Sequence, residues 1–177
     1  MKIELKSIKV NLSFSEETTQ FNADIFVNGV KAGYAKNDGR GGCTDYHPYE
    51  NKRDLLNEAD AYLKTLPSTP HDCGIRIIQI DSNLENFIDN EIDKYVNKKE
   101  LDKYNKKMAK DSLSNIVFGP KGGNSYRIFG YKKTFADLEK WGNYESLMVK
   151  LVAGVKEAMK EGDVIFNTNI DLKKFGL

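Results

Sequence analysis

The cysteines and histidines of this chain fall into two tight pairs, Cys43 with His47 and His71 with Cys73. Thiolate and imidazole are the ligands zinc prefers, and two closely spaced pairs carried by separate elements are a common way to assemble its tetrahedron. The spacings, three residues between Cys43 and His47 and one between His71 and Cys73, match no standard finger or ribbon. A second reading stands beside the first: two small buried thiols, and two surface imidazoles next to Pro48 and Pro70. Cys43 and His47, with Asp45 between them, also hold the parts of a nucleophile and base. That chemistry requires convergence in space on an oxyanion site, which adjacency in sequence does not supply. A non-catalytic protein without cofactor is therefore expected, with a structural zinc and a small zinc-dependent or Cys/His enzyme as the alternatives.

Two glycine-rich loops form a second constellation. Gly39-Arg40-Gly41-Gly42 and Gly119-Pro120-Lys121-Gly122-Gly123, with Arg127 close behind, combine successive backbone N–H groups with a cation. Such turns make concave anion sites. Arg40, Gly41, Gly42, Lys121, Gly122 and Arg127 are accordingly the candidate ligands of a nucleotide or phosphate. Neither loop has the spacing or the strand–loop–helix setting of a phosphate-binding fingerprint, and both also read as plain turns.

The elements that must position these groups follow from pattern. At 177 residues, with 40% hydrophobic and 11% aromatic residues, the chain is long and apolar enough to bury a real core. Its 27 basic and 26 acidic side chains leave a net charge of +1, so nucleic acid would have to be met by a local patch rather than by a global field. The opening Met1-Lys2-Ile3-Glu4-Leu5-Lys6 lacks a basic flank followed by a long apolar run, and no later window approaches the apolar length of a membrane span. A soluble cytoplasmic protein with reduced thiols and no membrane partner is the expectation.

Ile3 and Leu5, then Ile8, Val10, Leu12 and Phe14, alternate with polar residues, with a slip at Lys6-Ser7 that marks a bulge in a long first strand. Phe21, Ala23, Ile25 and Val27 alternate next and meet Asn28-Gly29, the dipeptide suited to a type I′ turn. Val30, Ala32 and Tyr34 return, giving a three-stranded antiparallel meander. A helix from about Asn51 to Leu66 covers its apolar face and is closed by Pro67 and Pro70. A linker then leads to a strand, Gly74 to Ile80, and a section boundary falls there, with residues 1–80 before it and 81–177 after it; packing of the two as a single domain is the alternative.

Ser82-Asn83-Leu84-Glu85 has the form of a capping box and opens a helix. From Asp81 to Asp93 there are five acidic residues and no basic ones, whereas from Lys94 to Lys110 seven lysines meet Glu100 and Asp102. The order suits the helix dipole. A second cap at Asn97 to Glu100 leaves one long helix or two open. A hairpin of Asn115–Phe118 with Ser125–Phe129, a short helix capped by Thr134, a helix from Tyr144 to Glu161 with Gly162 as its C′ residue, and a closing strand Val164–Phe166 complete an α+β fold. Its parts are thus an N-terminal β-meander covered by a helix, a charged helical middle, and a C-terminal β-hairpin plus amphipathic helix.

Ser15-Glu16-Glu17-Thr18, Phe21, Asn28-Gly29, Gly33 and Asn37-Asp38-Gly39-Arg40-Gly41-Gly42-Cys43-Thr44 together resemble the opening of small accessory proteins encoded by tailed bacteriophages and prophages. The resemblance covers about the first fifty residues, with an echo at Phe166-Asn167-Thr168-Asn169. It implies a protein acting in the host bacterial cytoplasm, of the kind that binds and disables a host defence or housekeeping protein or sequesters a nucleotide signal, and it carries no catalytic residue. For a protein partner the contact candidates are the meander edge, Tyr46, Tyr49 and the charged helix with Lys98, Lys99 and Lys103. The lysine-rich stretch with Tyr95 and Tyr104 interleaved supports nucleic-acid binding as the alternative.

Overall fold

A computed structural model of the protein describes residues 1–72 and 74–177. It is a mixed α+β fold whose contacts divide the chain into two compact units, Met1–Lys99 and Glu100–Leu177. Each is built around its own apolar cluster.

The first unit opens with four antiparallel strands in sequential order, β1 (Ile3–Val10), β2 (Phe21–Val27), β3 (Val30–Asn37) and β4 (Asp45–Pro48). Alternation decides which residues face in: Phe21, Ala23, Ile25 and Val27 of β2 are buried, and Asn22, Asp24 and Phe26 between them are not. Asn28 and Gly29 both take positive φ, 51° and 83°, as the tight turn between β2 and β3 requires. The first strand is shorter than its alternation predicts. It ends at Val10, and Leu12–Phe14 curl into a single 3-10 turn capped by the Asn11 side chain, which leaves Leu12 and Phe14 exposed. The meander also gains a fourth strand, because Asp45–Pro48 pairs with β3 along Lys36↔Asp45, Tyr34↔His47 and Gly33↔Pro48. Pro48 is tolerated there since β4 is an edge.

Helix α1 (Arg53–Lys64) lies on the inner face of this sheet, burying Leu56, Ala59 and Leu63 against β2 and β3. The fit depends on Gly33. A Cβ at that position would collide with the His47 carbonyl and stand 2.9 Å from Leu56 Cδ1. Beyond α1 the chain forms a two-stranded hairpin, β5 (Thr69–Asp72) and β6 (Ile77–Ile80), where the sequence predicts a linker and one strand.

Helix α2 (Leu84–Asp111) is continuous, so the cap predicted near Asn97 does not interrupt it. Its N-terminus is not the predicted capping box. Asn83 accepts from the Asn86 N–H (2.8 Å), Asp60 of α1 accepts from the Leu84 N–H (2.9 Å), and Ser82 instead donates to the Pro67 carbonyl. Leu84, Ile88 and Ile92 join the core of the first unit.

The second unit pairs β7 (Asn115–Pro120) with β8 (Arg127–Gly130) on one side and β9 (Asp163–Ile165) on the other. Helix α3 (Phe135–Leu138), capped by Thr134 as expected, and helix α4 (Tyr144–Ala158) supply Phe135, Leu138, Met148, Leu151, Val152 and Val155 to a core shared with Ile116 and Phe118. Helix α4 ends at Ala158, short of the predicted Glu161, because Met159 turns extended. Gly162 serves a turn in which Asp163 N–H donates to the Lys160 carbonyl rather than acting as C′.

Candidate functional site

Four places in the molecule are candidates for contact with another molecule. The first is the Cys/His set. Cys43 is an exposed free thiol, His47 sits on β4 opposite Tyr34, and His71 on β5 opposite Ile78. Cys73 lies outside the described residues. Among the described residues no three His, Cys, Asp or Glu side chains form a group that could hold a metal ion.

The second is the glycine loop after β3. Its centre is Asn37, a nearly buried amide with every polar atom used: its Oδ1 accepts from Thr18 Oγ1 (2.8 Å) and Gly39 N–H (2.9 Å), and its Nδ2 donates to the Gly42 carbonyl (3.0 Å) and Thr44 Oγ1 (3.3 Å). Thr44 carries the network onward to α2, donating its hydroxyl to Asp89 Oδ1 (2.6 Å) and its N–H to Glu85 Oε1 (3.2 Å). A cleft of about 450 Å³ opens beside it, walled by Glu16, Glu17, Thr18, Cys43, Asp89 and Asp93. Burial pushes the Asp89 carboxyl above the ordinary range, the Thr44 hydroxyl works against this, and the Glu85 and Asp93 charges add to the rise. The wall is acidic where the sequence reading places an anion: Gly41 lies against the Glu17 carboxylate, and the Arg40 N–H is turned onto Asp38 Oδ1 (3.3 Å). The arrangement is a lock. It ties the loop to α2, and among the described residues no buried side-chain nitrogen or oxygen is left without a partner.

The remaining anion candidates belong to the second unit. Lys121 and Gly122 form the exposed tip of the turn after β7, with Gly122 at φ 73°. Arg127 is committed elsewhere: it donates to the Ala158 carbonyl (2.6 Å), pairs with Asp163 and stacks over Phe118 at 4.8 Å. Asp163 is held below the usual carboxylate range by the Lys160 N–H and by Arg127. Nearby, Tyr126 donates to Asp111 (2.7 Å), and burial together with that carboxylate pushes its phenol up to about 12.

The third place is the hairpin arm. Sheet β5–β6 has two strands only, so each keeps an outer edge without a paired strand among the described residues. Ile75 at its tip is 96% exposed and Ile77 68% exposed.

The fourth is the outer face of the first sheet. A bulge between Lys6 and Lys9, with Ser7 at φ 53°, sets Lys6 opposite Asp24 and Lys9 opposite Asn22, so both lysines share the solvent side. A second irregularity, Ile25↔Gly33 followed by Phe26↔Lys31, likewise puts Lys31 and Tyr34 on that side. Tyr34 meets His47 across the β3–β4 pair with ring centroids 5.4 Å apart, and Tyr49 at 5.9 Å. Lys31 lies over the Tyr49 ring (4.9 Å) and bonds Asp24 (3.1 Å), to which the Tyr49 hydroxyl also donates (2.9 Å). Burial would raise the Asp24 carboxyl, but the bonds from Lys31, Tyr49 and Ser7 and the Lys31 charge together hold it low. Lys6 sits over Phe26 at 4.3 Å.

Of the partner candidates read from sequence, Tyr49 stands on this face, whereas Tyr46 points the other way and packs against the core of the first unit. Lys98, Lys99 and Lys103 are exposed on α2, Lys99 resting over Tyr95 at 5.2 Å. The sequence reading missed Tyr34, Phe26 and His47 as members of one surface. Only the strict alternation of Asp24 and Phe26 on β2 hinted at it; on β1 and β3 the bulges shift the phase. No helix among the described residues is long and apolar enough to cross a membrane. Set against known protein families, curated proteins and solved structures, the chain matches none of them.

Proposed function

We propose that this is a non-enzymatic phage accessory protein that binds and inhibits a host protein in the bacterial cytoplasm, and that the β5–β6 arm is its contact element. The observation that carries this reading is the arm itself, with its two-stranded sheet and the exposure of Ile75 and Ile77. An isolated hairpin gains stability when a further strand joins it, and an open edge recruits that strand through main-chain hydrogen bonds. Strand β6, Ile77-Ile78-Gln79-Ile80, contains no proline and so keeps every N–H that points away from β5 as a donor, whereas Pro70 removes one backbone donor from β5. The setting comes from the resemblance of the first fifty residues to phage accessory proteins. A protein target is favoured over a nucleotide because the Arg127 guanidinium is already paired with Asp163 and Ala158.

Affinity capture from bacterial lysate with the wild-type chain and with Ile75→Asp/Ile77→Asp, followed by gel filtration of the captured pair, tests the reading. A host protein held stoichiometrically by the wild type and released by the double variant, with the variant's melting temperature unchanged, is the expected result. Equal capture by both chains would remove the arm as the contact element.

A further inference from the structure

We propose that the outer face of the first sheet binds single-stranded nucleic acid, its bases stacking on Tyr34, Tyr49 and His47 and its phosphates following Lys6, Lys9 and Lys36. This goes beyond the arm and uses none of its residues.

The geometry of the face is the first argument. Side chains on the outer side form cross-strand rows: Lys9, Asn22, Lys36 and Asp45 in one, then Lys6, Asp24, Tyr34 and His47, then Glu4, Phe26 and Lys31. The rings therefore occupy the middle of the platform and the β4 side, with lysines at two other edges. Tyr34 is 37% and Tyr49 36% exposed, so each offers a ring face to solvent while its body is held by neighbours. The hold is specific: Tyr34 contacts both other rings, and Tyr49 is fixed by its bond to Asp24 and by Lys31 above it. Rings anchored in this way lose little freedom when a base stacks on them.

Charge is the second argument. The carboxylates on this side are Glu4, Asp24 and Asp45. Glu4 is paired with Lys2 (3.0 Å) and Asp24 with Lys31 (3.1 Å), while Asp45 and, at the Lys36 end, Asp38 stand against Lys6, Lys9 and Lys36. A row of lysines beside exposed rings is the composition of a single-strand platform, where cations track the backbone and every base presents a π face. Protein interfaces instead exclude lysine from their centres. A duplex would keep its bases stacked on each other and unable to reach the rings.

Size is the third. Beside Tyr34 lies a shallow depression of about 180 Å³ bounded by Ser7, Lys9, Asn22 and Asp24. It is too small for an extended ligand and is suited to one planar heterocycle. Asn22 at its border can both donate to and accept from a base edge.

The test is fluorescence anisotropy with a labelled oligothymidylate of roughly ten nucleotides, which spans a face of this size. The wild type is expected to bind, and three phosphate contacts on a single strand weaken binding roughly twentyfold between about 50 and 200 mM salt. Tyr34→Ala/Tyr49→Ala should lower affinity by about tenfold or more, while Tyr34→Phe/Tyr49→Phe, which keeps the rings, restores most of it. Lys6→Glu/Lys9→Glu should weaken binding and flatten the salt dependence. Circular dichroism and the melting temperature establish that each variant is folded. Ile75→Asp/Ile77→Asp should leave oligonucleotide binding unchanged, which separates this proposal from the arm. No binding at about 50 mM salt, loss only in Lys98→Glu/Lys103→Glu on α2, or full binding by a folded Tyr34→Ala/Tyr49→Ala chain would each overturn it.

Discussion

The two faces of the first sheet are made by the same four strands, yet one is a core and the other a platform. On the inner face Phe21, Ala23, Ile25, Val27, Ala32 and Ala35 are buried in one cluster with residues of α1 and α2. On the outer face Phe26, Tyr34, His47 and Tyr49 stay in contact with solvent and are organised by ion pairs and ring contacts instead. The difference shows what strand alternation does and does not decide. It separates the residues into two sets, but what each set does depends on whether another element lands on it.

The sharpest way to break this comparison is to truncate one residue on each side. Ile25 is fully buried, so Ile25→Ala should cost about 3 kcal/mol through lost transfer energy and the cavity left behind. Tyr34→Ala, on the other side of the same sheet, should change stability by no more than about 0.5–1 kcal/mol. Urea melts of the two variants check both values. A large loss for Tyr34→Ala would mean that the ring is a structural element rather than a contact surface.

A smaller effect is expected at the rim where the two faces meet the glycine loop. Asn37→Ala removes the partner of Thr18, Gly39, Gly42 and Thr44 at once, and leaving buried donors unsatisfied costs about 2 kcal/mol. Amide hydrogen exchange should show the stretch from Gly39 to Thr44 losing protection before the strands do.

The smallest effects are electrostatic, and they carry opposite signs on the two sides of the unit. Asp24, on the outer face, is held below its ordinary value of 3.8, so the stability it adds is present above that pH and is lost as pH falls through the lower folded value. Asp89, at the acidic cleft, is raised above 3.8, so its ionised form is the disfavoured one and stability falls as pH rises from 3.8 through the raised value. Thermal melts from acid to neutral pH should therefore show Asp24→Asn destabilising at neutral pH, with its deficit closing in acid. Asp89→Asn should be stabilising at neutral pH, with its advantage closing in acid. A stabilising Asp24→Asn would mean that Lys31 and Tyr49 do not govern Asp24 in solution, and a destabilising Asp89→Asn that the Thr44 hydrogen bond outweighs burial at Asp89.

Much of the fold was legible. The phase of Phe21 to Val27, the Asn28-Gly29 turn, the stripe of Leu56, Ala59 and Leu63, and the Thr134 cap are local signals, and each produced the element it predicts. Even the slip at Lys6-Ser7 was readable as a bulge. The elements that were misread depend on partners distant in sequence. Strand β4 exists because β3 offers an edge, and β5 because β6 folds back on Thr69–Asp72, neither of which shows in the local composition. The start of α2 reads as a Ser82–Glu85 box, yet Asp60 from α1 caps Leu84 while Glu85 is drawn to the Thr44 N–H. A tertiary acceptor, Asp60, joined a local one, and the local one is Asn83 rather than Ser82.

The same division runs through the candidate sites. The sequence by itself determined the residue types available for chemistry, the alternation that sorts β2 into two sets, and the turns that bring β2 and β3 together, because these depend on side-chain period and backbone sterics over a few residues. Only the tertiary structure decided that Tyr34, His47 and Tyr49 form one cluster, that Tyr46 turns inward, and that Arg127 is already engaged. Those outcomes rest on strand register and on which surface a helix covers, and register is set by pairing across the sheet rather than by any one strand.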